Sequence, residues 1–361
     1  MQYELNPIPE KISISPFGIA IYNDYSFLPK RIKDENFKMP SNKTGGVLSQ
    51  SAKKNLKNCV GYLILRTQKR YATARNKFPN ISKKIGFITL TLPSIQNHVD
   101  TEIKDKCLNQ FLVEIRKYYD ITEYVWRAEK QYNSNIHFHI LVNKFIPHAE
   151  IRERWNRIID KFGYVERYKN KFKDLTFREF IQVQPIRQKK GHRMEDRIRQ
   201  YARGKETNWS SPNSTDIHNL KHVDNAARYI SKYVSKSVDD NPKIVKQKSI
   251  VKSEVNEIEK MFQQQKLEEL RKEESVKQKI EGRIWFASES LTAIKNINTY
   301  LTSEIKSELE GFILHTSAKE IKTDFCFYIN RGIENIAQFA RGALTDLVDD
   351  WIKQNLQLTS V

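Results

Sequence analysis

The spacing of apolar residues along the chain predicts a succession of helices and strands over residues 49–236. Apolar positions three to four residues apart indicate helices, and shorter apolar runs that end at turn residues or proline indicate strands. Helices are predicted at residues 49–79, 100–119, 149–162 and 224–236, and strands at residues 85–92, 123–131, 136–143 and 176–183. Asn133, Ser134 and Asn135 separate the two middle strands and are typical turn residues, which indicates a β-hairpin.

Composition divides the chain into four segments, of which residues 49–236 form the predicted main domain. Residues 1–48 hold one apolar stretch, at residues 12–22, in an otherwise polar N-terminal extension, which predicts a short hairpin and a loop. Residues 237–283 are dominated by Lys, Glu, Gln and Ser, which is typical of a charged, solvated helical linker. Apolar residues return in 284–361, so we expect a small C-terminal α/β part that stands alone or packs on the main domain.

The charge of the chain points to a polyanionic partner. It has 62 Lys and Arg residues against 43 Asp and Glu, a formal net charge of +19 over 361 residues. A positive surface gains free energy when it releases counterions from nucleic-acid phosphates. An anionic membrane is the competing partner, but the sequence has no basic amphipathic anchor and no apolar run long enough to span a bilayer. Nucleic acid is therefore the favoured partner.

The cysteines and the N-terminus bear on the compartment. Cys59, Cys107 and Cys326 are few, far apart and odd in number, so they form neither a disulfide framework nor a zinc spacing. The first residues lack the basic start and apolar stretch of a signal peptide. We therefore expect the protein to work in a reducing cytoplasm.

The clearest chemical feature is His137-Phe138-His139, which lies on a predicted strand. Side chains alternate along a strand, so both imidazoles project from one face of the sheet and Phe138 from the other. Two imidazoles two positions apart on a rigid strand provide half of a metal site. The alternative is a half-exposed strand that carries two histidines without a metal.

The hairpin supplies candidates for a further ligand. If Ser134 lies at the centre of the turn, Glu129 faces His139 and Gln131 faces His137. Two imidazoles with a carboxylate or amide oxygen suit Mg²⁺ or Mn²⁺ in an open octahedral site. We favour Glu129 over Gln131 as the third ligand because a carboxylate supplies charge. A solvated Glu and Gln on an ordinary hairpin are the alternative.

A second feature is residues 229–236, a predicted helical segment. One of its faces carries two phenols and two ammonium groups, those of Tyr229, Lys232, Tyr233 and Lys236. A free tyrosine, with a pKa of about 10, is a poor nucleophile at neutral pH. Adjacent ammonium groups and a metal-polarised phosphate would both favour attack by the phenolate. The alternative is an ordinary amphipathic helix whose lysines extend to solvent.

A third feature is the basic stretch 187–203, which is predicted to be a loop or arm. Its candidate DNA-binding residues, through phosphate contacts, are Lys189, Lys190, Arg193, Arg197 and Arg199. A solvated basic loop without such contacts is the alternative.

Three segments, in this order, resemble the motifs of the His–hydrophobic–His (HUH) rolling-circle replication initiators, in particular those of small single-stranded DNA phages and related plasmids. Residues 87–93, Phe-Ile-Thr-Leu-Thr-Leu-Pro, are similar to the first motif, a core strand beside the active site. Residues 136–140 are similar to the metal-binding motif, and residues 229–236 to the two-tyrosine form of the third, Tyr-x-x-Lys-Tyr-x-x-Lys. Residues 282–291 resemble a segment that follows the nuclease core in phage members. The likeness covers about residues 50–295.

The resemblance implies an α+β fold with a central antiparallel sheet of about five strands flanked by helices. It implies His137 and His139 as metal ligands and Tyr229 and Tyr233 as nucleophiles. The implied activity is site-specific nicking and joining of single-stranded DNA at a replication origin, through a 5′-phosphotyrosine intermediate and with Mg²⁺ or Mn²⁺, in the cytoplasm of a bacterial host. We expect Lys232 and Lys236 to steady the phosphate or the phenolate.

The sequence leaves two other functions open. One is a rolling-circle transposase with the same chemistry, and the other is a non-catalytic basic nucleic-acid-binding protein. The chain has no phosphate-binding loop of the Gly-x-x-x-x-Gly-Lys-Ser/Thr type, so unwinding would depend on a host helicase and synthesis on a host polymerase. One departure from the family's pattern is the long stretch between the second and third motifs, which contains the basic stretch 187–203.

Overall fold

The computed structural model describes residues 8–26, 48–184 except 82 and 132, 193–219, 247, 249, 263–270, 279–322 and 326–356. These residues form two five-stranded antiparallel sheets flanked by helices, which confirms the predicted α+β fold class. No helix in this part of the chain is both long and apolar enough to cross a bilayer.

The strands of the described residues are distributed over the whole chain. They are β1 (Glu10–Ser15), β2 (Gly18–Asn23), β3 (Gly86–Leu90), β4 (Tyr124–Lys130), β5 (Ile136–Val142), β6 (Thr215–Asn219), β7 (Trp285–Ala287), β8 (Ile297–Tyr300), β9 (Glu320–Lys322) and β10 (Phe327–Ile329). The first sheet has the order β6-β3-β5-β4-β7 and the second the order β8-β1-β2-β10-β9. The three predicted strands that become β3, β4 and β5 form the centre of the first sheet.

The two sheets draw on different parts of the chain. The second sheet joins the hairpin of the predicted N-terminal extension to strands of the C-terminal region, since β1 pairs with β8 and β2 with β10. The first sheet recruits β7, which belongs to the segment 282–291 and pairs with β4. Distant segments of sequence therefore complete both sheets.

Seven helices precede residue 219 in the described part of the chain. They are α1 (Gln50–Tyr71), α2 (Asp100–Glu102), α3 (Asn109–Tyr119), α4 (His148–Asp160), α5 (Tyr164–Phe172), α6 (Phe177–Val183) and α7 (Met194–Glu206), and a π-helical turn, Ile103–Leu108, joins α2 to α3. Residues 263–270 of the predicted linker are helical. Further helices of the C-terminal region are Glu289–Thr292, Ser303–Thr316, Ile333–Phe339 and Ala343–Asn355.

Helix α1 lies in the larger hydrophobic core, between the two sheets. It begins after Ser49, whose Oγ accepts a hydrogen bond from the Ala52 backbone N–H at 3.1 Å. Its predicted apolar stripe is buried, and the helix ends at Tyr71 rather than continuing to residue 79 as predicted. This core joins Ile12, Ile14 and Ile19 of the second sheet, Leu56, Val60 and Leu63 of α1, and Phe87, Val125 and Leu141 of the first sheet.

A second core covers the opposite face of the first sheet. Ile88, Trp126, Phe138 and Ile140 of the strands pack there with buried residues of α3 and α4, among them Phe111 and Trp155. The Trp155 indole N–H donates to the Thr91 carbonyl oxygen at 2.7 Å, which fixes α4 against the end of β3. Both faces of the first sheet are therefore packed against helices over most of their area.

The prediction of a strand at residues 176–183 is wrong, because this segment forms α6. Thr176 caps the helix: its backbone N–H donates to Glu179 Oε2 at 2.8 Å, and its Oγ1 accepts from the Glu179 backbone N–H at 3.4 Å. Thr-x-x-Glu is the signature of a capping box, which sets the start of a helix whatever the alternation that follows.

The prediction of a loop or arm at residues 187–203 is wrong from residue 194 onward, where the chain forms α7. The Arg193 backbone N–H donates to Asp196 Oδ2 at 3.4 Å, so an acidic side chain in the first turn helps to start this helix. Residues 187–192 lie outside the described residues, as does the predicted helix 224–236.

The predicted register of the central hairpin is wrong by two residues. Glu129 pairs with His137 and Arg127 with His139, and the strands close at Gln131, whose N–H donates to the Asn135 carbonyl oxygen at 2.8 Å. The turn is thus centred one residue before Ser134, which adopts a left-handed conformation with φ of 65°. A left-handed last residue is typical of a three-residue hairpin connection.

The close approach of α1 to the β1–β2 turn generates a first prediction. A Cβ at Gly61 would overlap Pro16 and come within 2.8 Å of Phe17, whereas one at Gly311, in the helix Ser303–Thr316, meets no atom within 4 Å. Gly61→Ala is expected to lower the free energy of unfolding by about 1–3 kcal/mol because the hairpin must move. Gly311→Ala is expected to raise it by about 0.5–1 kcal/mol through helix propensity. Urea denaturation measures both, and equal effects would contradict this packing.

Candidate metal centre

Four polar side chains lie together on one face of the first sheet. They are Arg127 and Glu129 of β4 and His137 and His139 of β5, and they share this face because facing residues of an antiparallel pair point the same way. Further along the same face, Val125 and Leu141 enter the core beneath α1. The polar group is therefore the continuation of a buried surface.

Glu129, His137 and His139 have the geometry of a metal-binding group. The Nε2 atoms of His137 and His139 lie 3.5 Å and 3.6 Å from Glu129 Oε2. One ligand atom from each residue lies within 4.8 Å of the other two. Glu129 and His139 are each only 8% exposed, so the group sits at the edge of solvent.

The charge of Glu129 is maintained in spite of burial. Burial raises its pKa, but hydrogen bonds from His137 and His139 and the positive charge of Arg127 outweigh this and hold the pKa well below its ordinary value. Arg127 Nη1 lies 3.4 Å from Glu129 Oε1. Burial also lowers the pKa of Arg127, against the attraction of Glu129. The site thus contains an ionised carboxylate, as a cation requires.

Two residues of β3 orient His139. Thr89 faces His139 across the strands, and Thr89 Oγ1 lies at hydrogen-bond distance, 3.2 Å, from His139 Nδ1. Phe87 stacks on the imidazole with ring centroids 5.5 Å apart. A hydrogen bond at one ring nitrogen fixes the direction of the other, which is how partners outside the ligand set position metal-binding histidines. Nε2 of His139 is accordingly the nitrogen that lies beside Glu129.

The donor atoms fit a divalent cation. Both ring nitrogens of His137 are buried, and neither makes a hydrogen bond of normal geometry within the described residues, although Nε2 lies near Glu129. Buried polar atoms are rarely left in this state, and a cation would satisfy one of them. Two imidazoles and a carboxylate suit Mg²⁺ or Mn²⁺, and they suit Zn²⁺ also. The donor set thus defines a divalent-cation site without selecting the ion.

The other predicted site residues have different positions. Gln131 follows the last residue of β4 and lines a neighbouring cavity. Of the predicted DNA-binding residues, Arg197 is buried at 3% exposure in α7, Arg199 pairs with Asp196 at 2.7 Å, and Arg193 precedes the helix. The remaining predicted residues lie outside the described part of the chain: Lys189, Lys190, Tyr229, Lys232, Tyr233 and Lys236.

The sequence-based prediction missed Arg127 and Thr89. Strand alternation was a usable signal for Arg127, since a residue two positions before Glu129 lies on the same face. Thr89 lies on β3, and its proximity to His139 follows from the pairing of β3 with β5, which no local pattern specifies.

Comparison with known proteins relates this region to DNA replication. The model of a replication-associated protein family, that of ORF2, matches residues 85–238. The match includes β3, β4 and β5 with the metal-binding group, and it extends over the two-tyrosine segment 229–236. No curated protein and no solved structure matches the chain. The match is consistent with a replication initiator, as the resemblance of the motifs predicts.

The metal-binding group can be tested by thermal unfolding. Mn²⁺ at 100 times its dissociation constant is expected to stabilise the protein by about 2.7 kcal/mol, because a ligand that binds only the folded state shifts the equilibrium. His137→Ala and His139→Ala should abolish this stabilisation. His315→Ala, in a helix of the C-terminal region, is the control and should respond to Mn²⁺ as the wild type does. An equal response of all variants would contradict the assignment.

The ion pair of Arg127 and Glu129 can be tested without added metal. Arg127→Leu is expected to lower the free energy of unfolding by about 3–5 kcal/mol, because it leaves a buried carboxylate without its cation. Lys353→Leu, which breaks an exposed pair with Asp350, should change it by less than about 1 kcal/mol. Urea denaturation in the presence of a chelator measures both. Similar values for the two variants would show that Arg127 does not compensate Glu129.

Proposed function

We propose that this protein is a metal-dependent tyrosine endonuclease that nicks single-stranded DNA at a replication origin and so starts rolling-circle replication. The observation that carries the proposal is the Glu129–His137–His139 group on the face of a five-stranded sheet, inside the region that matches a replication-associated family. The net charge of +19 supports a nucleic-acid substrate.

The chain's own side chains provide the parts of a phosphoryl transfer. Glu129, His137 and His139 would hold the divalent ion, which supplies Lewis-acid withdrawal of charge from the scissile phosphate when bound. Tyr229 or Tyr233 is the proposed nucleophile: its phenolate oxygen forms a bond to phosphorus, and the bond from phosphorus to the 3′-oxygen breaks. The 3′-oxygen takes up a proton and leaves as a hydroxyl, and the DNA 5′ end stays on the tyrosine.

The same intermediate allows the strands to be rejoined. The 5′-phosphotyrosine retains the phosphodiester linkage, so attack by a 3′-hydroxyl restores the DNA and frees the phenol without an external source of energy. Two tyrosines four residues apart permit alternate use, in which one holds the first 5′ end while the other cuts after a round of synthesis. Lys232 and Lys236 would stabilise the phosphate or the phenolate by their charge.

The replication partners follow from what the chain lacks in sequence. No phosphate-binding loop of the helicase type is present in it, so we propose that a host helicase unwinds the DNA and a host polymerase extends the 3′-hydroxyl.

A covalent-adduct assay tests the proposed function. The protein is incubated with circular single-stranded DNA from its own replicon and Mn²⁺, and a denaturing gel resolves DNA-linked protein. The wild type should give an adduct, whereas His137→Ala and the double variant Tyr229→Phe/Tyr233→Phe should lose it at least about 100-fold, because each lacks a group required for the transfer.

Tyr118→Phe is the matched control, since Tyr118 is an exposed tyrosine on α3, and it should give the adduct of the wild type. An adduct that persists in the double variant would place the nucleophile elsewhere. Folded wild-type protein that binds the DNA but neither nicks nor labels it would favour the non-catalytic binding protein instead.

A further inference from the structure

A cavity of about 400 Å³ lies beside the metal-binding group. It is bounded by the ends of β3 and β4 and by α4, α6 and α7, together with the segment that follows α7. Its size falls in the range of pockets that hold small organic ligands. The helices α5, α6 and α7 that build it occupy the long stretch between the second and third motifs, where this chain departs from the family's pattern.

The cavity is positively charged. Arg152 of α4 and Arg197 and Arg203 of α7 line it, and its described lining includes no aspartate or glutamate. Burial, and then the positive charge of Arg203, lower the pKa of Arg152, which reflects how closely the two guanidinium groups approach. Three arginines around a space without a carboxylate attract an anion, and a phosphate group matches their planar hydrogen-bond donors.

One wall of the cavity is aromatic. Tyr168, Phe180 and Trp209 line it, and Phe180 and Trp209 belong to a small separate hydrophobic cluster. The Trp209 ring lies against Gly204 of α7, where an added Cβ would come within 2.5 Å of its Cη2 atom. The Trp209 indole N–H is buried and has no hydrogen-bond partner among the described residues. Aromatic side chains beside arginines are the surfaces on which unpaired bases bind.

The cavity and the metal-binding group share one end of the first sheet. Thr91 and Gln131 line the cavity, and each lies two residues beyond a residue of the metal face, Thr89 and Glu129. Two residues of a strand span about 7 Å, so a chain of nucleotides that crosses the metal site reaches the cavity at once. The two sites are therefore placed for successive parts of one DNA strand.

We propose that this cavity receives one unpaired nucleotide of the DNA strand next to the scissile phosphate, with its phosphate on Arg152 and Arg203 and its base against the Tyr168–Phe180–Trp209 wall. The inference rests on the proposed function for the identity of the strand. Extrusion of a base into a pocket is favoured in single-stranded DNA, where no base pair has to be broken. Binding in the cavity would hold the adjacent phosphate in register with the metal site.

Nuclear magnetic resonance of the full chain tests the cavity without any cleavage. Indole N–H signals of ¹⁵N-labelled protein report on its five tryptophans, and Trp209→Phe identifies the Trp209 signal. Deoxynucleoside 5′-monophosphates should shift the Trp209 signal saturably, and Trp351, whose indole N–H donates to the Lys295 carbonyl oxygen at 2.8 Å, should serve as the unshifted reference. Inorganic phosphate at equal ionic strength should leave the Trp209 signal in place.

Two outcomes would overturn the proposal. An equal shift with inorganic phosphate would reduce the cavity to an anion site, and no selective shift with any of the monophosphates would remove it as a nucleotide site. Both readouts are obtained with a chelator present and do not involve Tyr229 or Tyr233. A failed adduct assay with a positive Trp209 shift would therefore reject the nuclease alone, and the reverse pattern would reject the cavity alone.

Binding of single-stranded DNA provides the second arm. Arg152→Gln/Arg203→Gln should weaken binding of a short fluorescein-labelled mixed-sequence strand about tenfold and lower the salt slope by about 0.7 for each lost phosphate contact. Arg116→Gln/Lys353→Gln removes the same charge from exposed positions away from the cavity and should stay within about twofold of the wild type. The exposed Arg203→Gln alone guards against misfolding. Equal losses in both double variants would contradict the proposal.

Discussion

A carboxylate held almost out of water, that of Glu129, imposes the tightest constraint on the first sheet. An uncompensated charge in such a position costs several kcal/mol, and the surrounding residues supply the compensation. Arg127 lies two positions earlier on the same strand, and His137 and His139 lie on the neighbouring strand. A slip of β4 against β5 by one residue would move Glu129 to the opposite face, among the apolar side chains packed on α3 and α4. Pairing register and charge compensation are thus one requirement.

This link explains why the side-chain composition of the metal face could be predicted although the register could not. Strand alternation needs only the order of residues, and it assigns Glu129, His137 and His139 to one face for any register shifted by an even number. The facing pairs depend on the turn, whose centre moved because Ser134 takes a left-handed conformation. Local turn residues indicate that a turn exists, but several connection lengths fit the same residues.

The remaining differences arise where local and distant interactions compete. The Thr176–Glu179 capping box is a local signal strong enough to start α6, and it was available in the sequence. By contrast, β7 is three residues long, too short for a periodicity to be recognised. The pairing of β1 with β8 joins segments nearly the whole chain apart. Such partners are chosen by burial of the shared core around α1, which a single sequence does not reveal.

The distribution of cover on the metal face limits how a nucleic acid can approach it. At one end of the face, Phe87, Val125 and Leu141 are closed off by the core that includes α1. At the other end, the strands run out toward Thr91 and Gln131 and the arginine-lined cavity. A polyanion that reaches the metal-binding group therefore meets positive charge and aromatic surface at the open end only. The cavity helices, inserted between the second and third motifs, thereby give the sheet a direction along which a single strand can lie.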